Sequence, residues 1–183
     1  NLPNEKGAVE AAESFLNTLT LYPEDIDPEK TKTQLFSIEG GVMSPETNIS
    51  RAKLISVYFF QKNKDDLAIV YPTGKLSTMN LMIAGGERAP QVVSGRFFYQ
   101  KILDESTTYP IISSKDAYEK LAKGDAYIAS HSGNDLNVLI KKVYLGFYAE
   151  GHSQDFLTPV VVFEGTNDFI AYVPATVDEW INK

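Results

Sequence analysis

An amphipathic helical stretch followed by aromatic-rich strands occurs twice in this sequence, and the pattern limits the chain to a mixed architecture. The second copy is the sharper one. It begins at Tyr109-Pro110-Ile111 and passes through Ala117, Leu121 and Gly124. It continues through Val143-Tyr144-Leu145-Gly146-Phe147-Tyr148 and Pro159-Val160-Val161-Val162-Phe163-Glu164-Gly165, and closes at Ala171-Tyr172-Val173-Pro174-Ala175. Apolar residues recurring at three- and four-residue steps bury one face of a helix, whereas alternation at period two buries one face of a strand. Both periods within each half imply α+β.

The first copy has the same order. Ala8, Ala12, Phe15 and Leu19, widened by Val9 and Leu16, form an apolar stripe over residues 6–21, with Glu10, Glu13 and Asn17 opposite. Asn4 is placed to cap the helix, and Tyr22-Pro23 ends it. Strands are expected over 33–38, 53–61, 67–71 and 78–83, with 67–71 returning from 53–61 as a hairpin across Asn63-Lys64-Asp65-Asp66. Residues 42–52 read as loop. Residues 91–103 read as a connecting strand between two lobes, 1–90 and 91–183. In the second lobe a helix is expected over 114–123, with a serine cap, Ala117, Tyr118 and Leu121 facing inward, and Gly124 as its stop. Strands follow over 136–149, 158–164 and 169–173, and Thr176 to Glu179 forms a capping box before Trp180. Leu54-Ile55-Ser56-Val57-Tyr58 is similar to 139–144, and 66–70 to 156–162, which suggests duplication.

Composition limits the function classes. The 183 residues are 43% hydrophobic and 22% charged, enough to bury a core and too apolar for disorder. Ten Tyr and ten Phe against one Trp suit pleated, half-buried surfaces. A net charge of −7 repels phosphate backbones, and the densest basic stretch, Lys115 to Lys123, is interrupted by Asp116 and Glu119, so nucleic acid is not an expected partner. The absence of cysteine removes disulfides, thiolate metal sites and cysteine nucleophiles. No apolar run reaches the ~20 residues of a membrane-spanning helix. The chain begins at Asn1 and reads as a processed piece whose anchor would lie upstream.

The residues that carry chemistry elsewhere stand here in loop-like surroundings. His131 and His152 lie among Gly, Ser and Asn, with no second ligand at helical spacing. No Gly-x-Ser-x-Gly elbow presents a serine. The carboxylate pairs Asp65-Asp66 and Asp104-Glu105 fall in turns, where Asp serves the backbone. Gly40-Gly41 and Gly85-Gly86 lack the spacing of a phosphate loop. No catalytic residue, metal or cofactor is therefore expected. The aromatic strand faces are the stronger candidates. Tyr144, Gly146 and Tyr148 alternate onto one face of their strand, with Val143, Leu145 and Phe147 on the other, facing the helix; the tyrosine face is either covered by the other lobe or forms a binding surface. The glycine leaves a notch between the tyrosines, open to a ligand or to a neighbouring backbone.

The run Tyr-Pro-Ile, the helix pattern Ser-x-x-x-Ala-x-x-x-Leu-x-x-Gly, the Val-Tyr-Leu-Gly-Phe-Tyr strand and the Pro-Val-x-Val-Phe-x-Gly hairpin resemble the second lobe of the extracytoplasmic YycI/YycH-type regulatory proteins. Residues 109–175 carry most of the likeness, and 54–84 a fainter form. The resemblance implies two tandem PepSY-like lobes, each a helix packed on an antiparallel sheet. It also implies an extracytoplasmic setting tethered to a membrane, and a regulatory role without catalysis. The expected partner is a protein or peptide, such as a membrane sensor or cell-wall component, bound at Tyr144, Gly146 and Tyr148. Two other readings are a cell-envelope hydrolase using a carboxylate pair and a small-molecule carrier with a pocket between the lobes.

Overall fold

A computed structural model of the chain describes residues 1–105, 108–133 and 137–177. Among them the elements are α1 (Glu5–Thr18), β1 (Lys32–Glu39), β2 (Val42–Glu46), β3 (Leu54–Phe59), β4 (Ala68–Val70), β5 (Met79–Ala84), β6 (Gln91–Phe97), α2 (Ser114–Lys123), β7 (Tyr127–Ser130), β8 (Ile140–Tyr148), β9 (Thr158–Gly165) and β10 (Ile170–Pro174). The class is α+β. Two compact units form, Asn1–Lys62 with Thr78–Tyr99, and Asn63–Ser77 with Gln100–Lys183. They do not follow a cut at 90/91.

The first unit is an antiparallel sheet of order β2-β1-β3-β5-β6 with α1 packed on β3, β5 and β6. Asn4 caps the helix, its side chain accepting from the Gly7 N–H at 2.8 Å. The buried stripe is Ala8, Ala12 and Leu16. Phe15 is 40% exposed and Leu19 48%, which corrects the expected core face. The physical reason is size: two alanines on the inner line let the helix lie close to the sheet, and the larger side chains are turned to its flank. Ile55, Val57 and Phe59 on one face of β3 are wholly buried, as their alternation required.

Residues 42–46 are strand, not loop. Gly40 and Gly41 both have positive φ (57° and 82°) and close a two-residue hairpin that pairs Glu39 with Val42. Pro45 sits on this edge strand, where its missing N–H costs no ladder bond. The 91–103 stretch is shorter than expected: β6 is an edge strand paired with β5 inside the first unit.

The second unit has the order β4-β8-β9-β10-β7. Its pairs are antiparallel except β4 with β8, which is parallel, so the expected hairpin of 67–71 with 53–61 does not form. Asp65 and Asp66 do make a tight turn, both with positive φ, bridging Lys64 and Leu67. That turn delivers β4 to the edge of the second sheet. β7 has no counterpart among the expected strands.

β9 lies at the centre of this sheet and alternates between two cores. Val161 and Phe163 pack with Ala117, Ala171, Val173 and Ala175, and with partly buried Leu121, Ile140 and Leu145. Val160 and Val162 pack with Val70, Ile170 and Tyr172 on the other face. A strand covered on both sides reads as a continuous apolar run, as Pro159 to Phe163 does. On α2, Ala117 faces the sheet but Tyr118 is exposed, against expectation. Ser113 caps the helix and Gly124 ends it in the left-handed conformation.

The two sheets differ in connectivity. β3 and β8 each open an antiparallel three-strand run, β3-β5-β6 and β8-β9-β10. The strand that follows the helix lies beside the first strand of that run in one unit and beside its last strand in the other. Residues 66–70 and 156–162 do not occupy equivalent places, since β4 is an edge strand and β9 is central. The expected strand start at Leu136 and the expected helical turn at Trp180 lie outside the described residues.

Candidate functional site

The face of the second sheet turned away from α2 carries an aromatic row. Cross-strand register aligns Tyr144, Val162, Tyr172 and Tyr127 on β8, β9, β10 and β7. The row one step along is Gly146, Val160 and Pro174, and Tyr148 stands opposite Thr158 beyond it. Residues opposite one another on one face are in side-chain contact distance. Tyr172 is the buried centre, at 2% exposure. Its ring is 5.5 Å from Tyr148 and 6.1 Å from Tyr127, tilted to the first and stacked with the second. Tyr148 and Tyr127 complete the triangle at 6.1 Å.

Residues 71–75 strap part of this face. Tyr172 donates its hydroxyl to the Tyr71 carbonyl at 2.9 Å, and Tyr127 donates to the Pro72 carbonyl at 3.0 Å. Gly74 lies against Ser130 and Ile170, and Lys75 pairs with Asp168. That ion pair holds the Asp168 carboxyl below its usual range. The tips of Tyr172 and Tyr127 therefore have fixed partners; the Tyr172 ring is buried, and the half-exposed Tyr127 ring stays available where the strap ends.

Past the strap lies an open groove of about 450 Å³, lined by Asp125, Ala126, Tyr127, Tyr148, Glu150, Thr158, Val160, Tyr172 and Pro174. Its lining combines aromatic and aliphatic walls with two carboxylates and contains no lysine or arginine. Burial raises the hydroxyl pKa of Tyr148, with smaller contributions from Tyr127 and from the Glu150 carboxylate. Burial also raises that of Tyr172, aided by the neighbouring tyrosines. Both are neutral ring systems at physiological pH.

The three residues singled out from the sequence fare differently. Tyr148 lines the groove. Tyr144 is half-buried, donates its hydroxyl to Glu164 Oε1 at 2.6 Å, and lies under the Lys142 ammonium at 4.4 Å. Burial and then this hydrogen bond raise its pKa. Gly146 does leave a notch, and a neighbouring backbone fills it: a Cβ there would stand 2.9 Å from the Ala68 carbonyl oxygen. Tyr127, Tyr172, Asp125 and Glu150 are site residues that the sequence does not single out. The alternation of Ile170 and Tyr172 points to one of them. Tyr127 stays hidden because β7, at four residues, is too short to show a period.

The other candidates lie outside the groove lining, and Lys64 stands between the two carboxylate pairs, 4.0 Å from Asp65 and 2.8 Å from Asp104. Asp65 and Asp66 occupy the tight turn, and Asp104 pairs with Lys64 at 2.8 Å on the surface, which lowers the Asp104 pKa and raises that of Lys64. Neither carboxylate pair lies along the groove. His152 Nε2 is 2.6 Å from Glu150 Oε2, and the His131 ring meets Phe169 edge-on. Among the described residues no group of three His, Asp or Glu side chains is arranged to hold a metal ion, and no helix is long and apolar enough to cross a membrane. Compared with protein-family models, curated proteins and solved structures, the chain matches none.

Proposed function

We propose that this protein is a non-catalytic recognition module, and that its working surface is the tyrosine groove of the second unit, which receives a protein or peptide partner. The observation that carries this is an open groove walled by Tyr127 and Tyr148 over a buried Tyr172. Tyrosine offers a large, rigid apolar area at low entropic cost, so rings held in place by a strap are prepared for contact before a partner arrives. The half-buried Tyr144 and the filled notch at Gly146 support the surface from β8 rather than form it. The setting outside the cytoplasm, with a membrane tether and PepSY-like lobes, rests on the resemblance of residues 109–175 to extracytoplasmic regulatory proteins.

Peptide-display selection with the wild type and with Tyr148→Ala, matched for folding by circular dichroism, tests the role. The wild type should enrich a sequence class that the variant does not. Equal enrichment by both proteins would remove the groove from the function.

A further inference from the structure

The chemistry of the groove specifies more than an apolar contact. Building on the recognition role proposed above, we infer that the groove takes a polybasic extended segment, with lysine or arginine side chains lying over Tyr127 and Tyr148 and meeting the carboxylates of Asp125 and Glu150.

The lining holds two acidic side chains and no lysine or arginine to offset them, while His152 Nε2 reaches one oxygen of Glu150. A negatively charged groove with low-dielectric walls concentrates cations. Ring faces add attraction for an ammonium or guanidinium within about 6 Å of a centroid. The protein already shows this contact at Lys142 over Tyr144 and at Lys32 over Phe60.

The two carboxylates enter the groove from separate strands at one end of the sheet. Asp125 closely precedes β7, and its N–H is held by the Lys120 carbonyl behind the Gly124 cap. Glu150 closely follows β8. Because β8, β9, β10 and β7 alternate in direction, both residues fall at the same end of the sheet. β9 and β10 separate their strands. Three strand spacings put the two backbones about 14 Å apart, while side chains reach inward from both, as the Tyr127 and Tyr148 rings do at 6.1 Å. A segment bearing several positive side chains satisfies both.

The test titrates the whole chain with short peptides of alternating lysine and serine, alternating arginine and serine, alternating glutamate and serine, and an uncharged serine–tyrosine peptide. Tetramethylammonium serves as the isolated-cation control. Affinity is read by fluorescence anisotropy, and location by amide chemical shifts at residues 125–127 and 148–150. The basic peptides should bind at least about ten-fold more tightly than the acidic or uncharged ones, and move those amides. Asp125→Asn and Glu150→Gln, both surface changes, should each weaken binding about five-fold, and added salt should weaken it further. Tetramethylammonium should bind far more weakly than either basic peptide. Equal affinity for the uncharged peptide at the same amides would overturn the cationic inference while leaving the recognition groove intact. Basic-peptide binding that ignores both carboxylate variants would overturn it too, since the attraction would then come from overall acidity. Groove amides that respond to no peptide would overturn both the inference and the recognition role.

Discussion

Among single residues, the second sheet depends on an absence at Gly146. A methyl group there would meet the Ala68 carbonyl oxygen at 2.9 Å and the Val162 and Val70 methyls at 3.5 Å. The nearest obstacle is backbone, so the strand has to move. Gly146→Ala should cost about 1–3 kcal/mol in urea unfolding. A loss near zero would mean that β4 is not seated beside β8. The tyrosines make a second prediction. Burial, aided by Asp25 and Glu24, pushes the Tyr99 hydroxyl up to about 12, and burial raises Tyr144 and Tyr172 as well. Each keeps its proton in the folded chain to higher pH than the roughly pH 10 of an unfolded tyrosine. The stability they confer is therefore complete below about pH 10 and is lost as pH rises through the folded values. An alkaline titration followed by phenolate absorbance should show a late-ionising subset, with unfolding accompanying it. Simultaneous ionisation of every tyrosine near pH 10 would contradict this burial.

Among elements, α1 shows how a correct period can yield too wide a face. The sequence supports one broad stripe, Ala8, Ala12, Phe15 and Leu19 widened by Val9 and Leu16. Its line through Ala8, Ala12 and Leu16 is buried, and Phe15 and Leu19 are exposed. Leu16→Ala should cost about 2–5 kcal/mol, as full burial demands. Phe15→Ala should cost about 1 kcal/mol or less, as partly exposed positions do. The reverse ranking in a thermal melt would restore Phe15 to the core. The caps were more legible than the face. Asn4 and Ser113 each accept a backbone N–H three residues on, at Gly7 and Asp116, as their spacing implied. A cap acts within one turn, so local sequence suffices. Which side of a helix meets a sheet depends on what the sheet presents.

For the whole chain, the exchange of segments between units governs independent folding. Residues 63–77 leave the first unit between β3 and β5 and supply β4 and the strap to the second. A cut at 90/91 would strip β6 from β5 in one fragment. It would also strip β4, Tyr71 and Pro72 from the tyrosine face in the other. Expressed alone, fragments 1–90 and 91–183 should lack cooperative unfolding and dispersed amide spectra. Two sharply folded fragments would show that the crossing segment is dispensable.

Legible in the residues alone were the α+β class, both helices with their caps, the strands read over 33–38, 53–61, 78–83, 136–149, 158–164 and 169–173, whose cores are β1, β3, β5, β8, β9 and β10, and the shared face of Tyr144 and Tyr148. Periodicity and capping are properties of neighbouring residues, so they survive without tertiary information. Three features emerge only from the folded chain. β4 joins β8 in parallel, β7 completes the aromatic row, and Asp125 and Glu150 share a groove though they adjoin different strands. Strand pairing is a choice among partners distant in sequence. The turn at Asp65-Asp66 sets a local reversal and leaves open which edge the following strand will join.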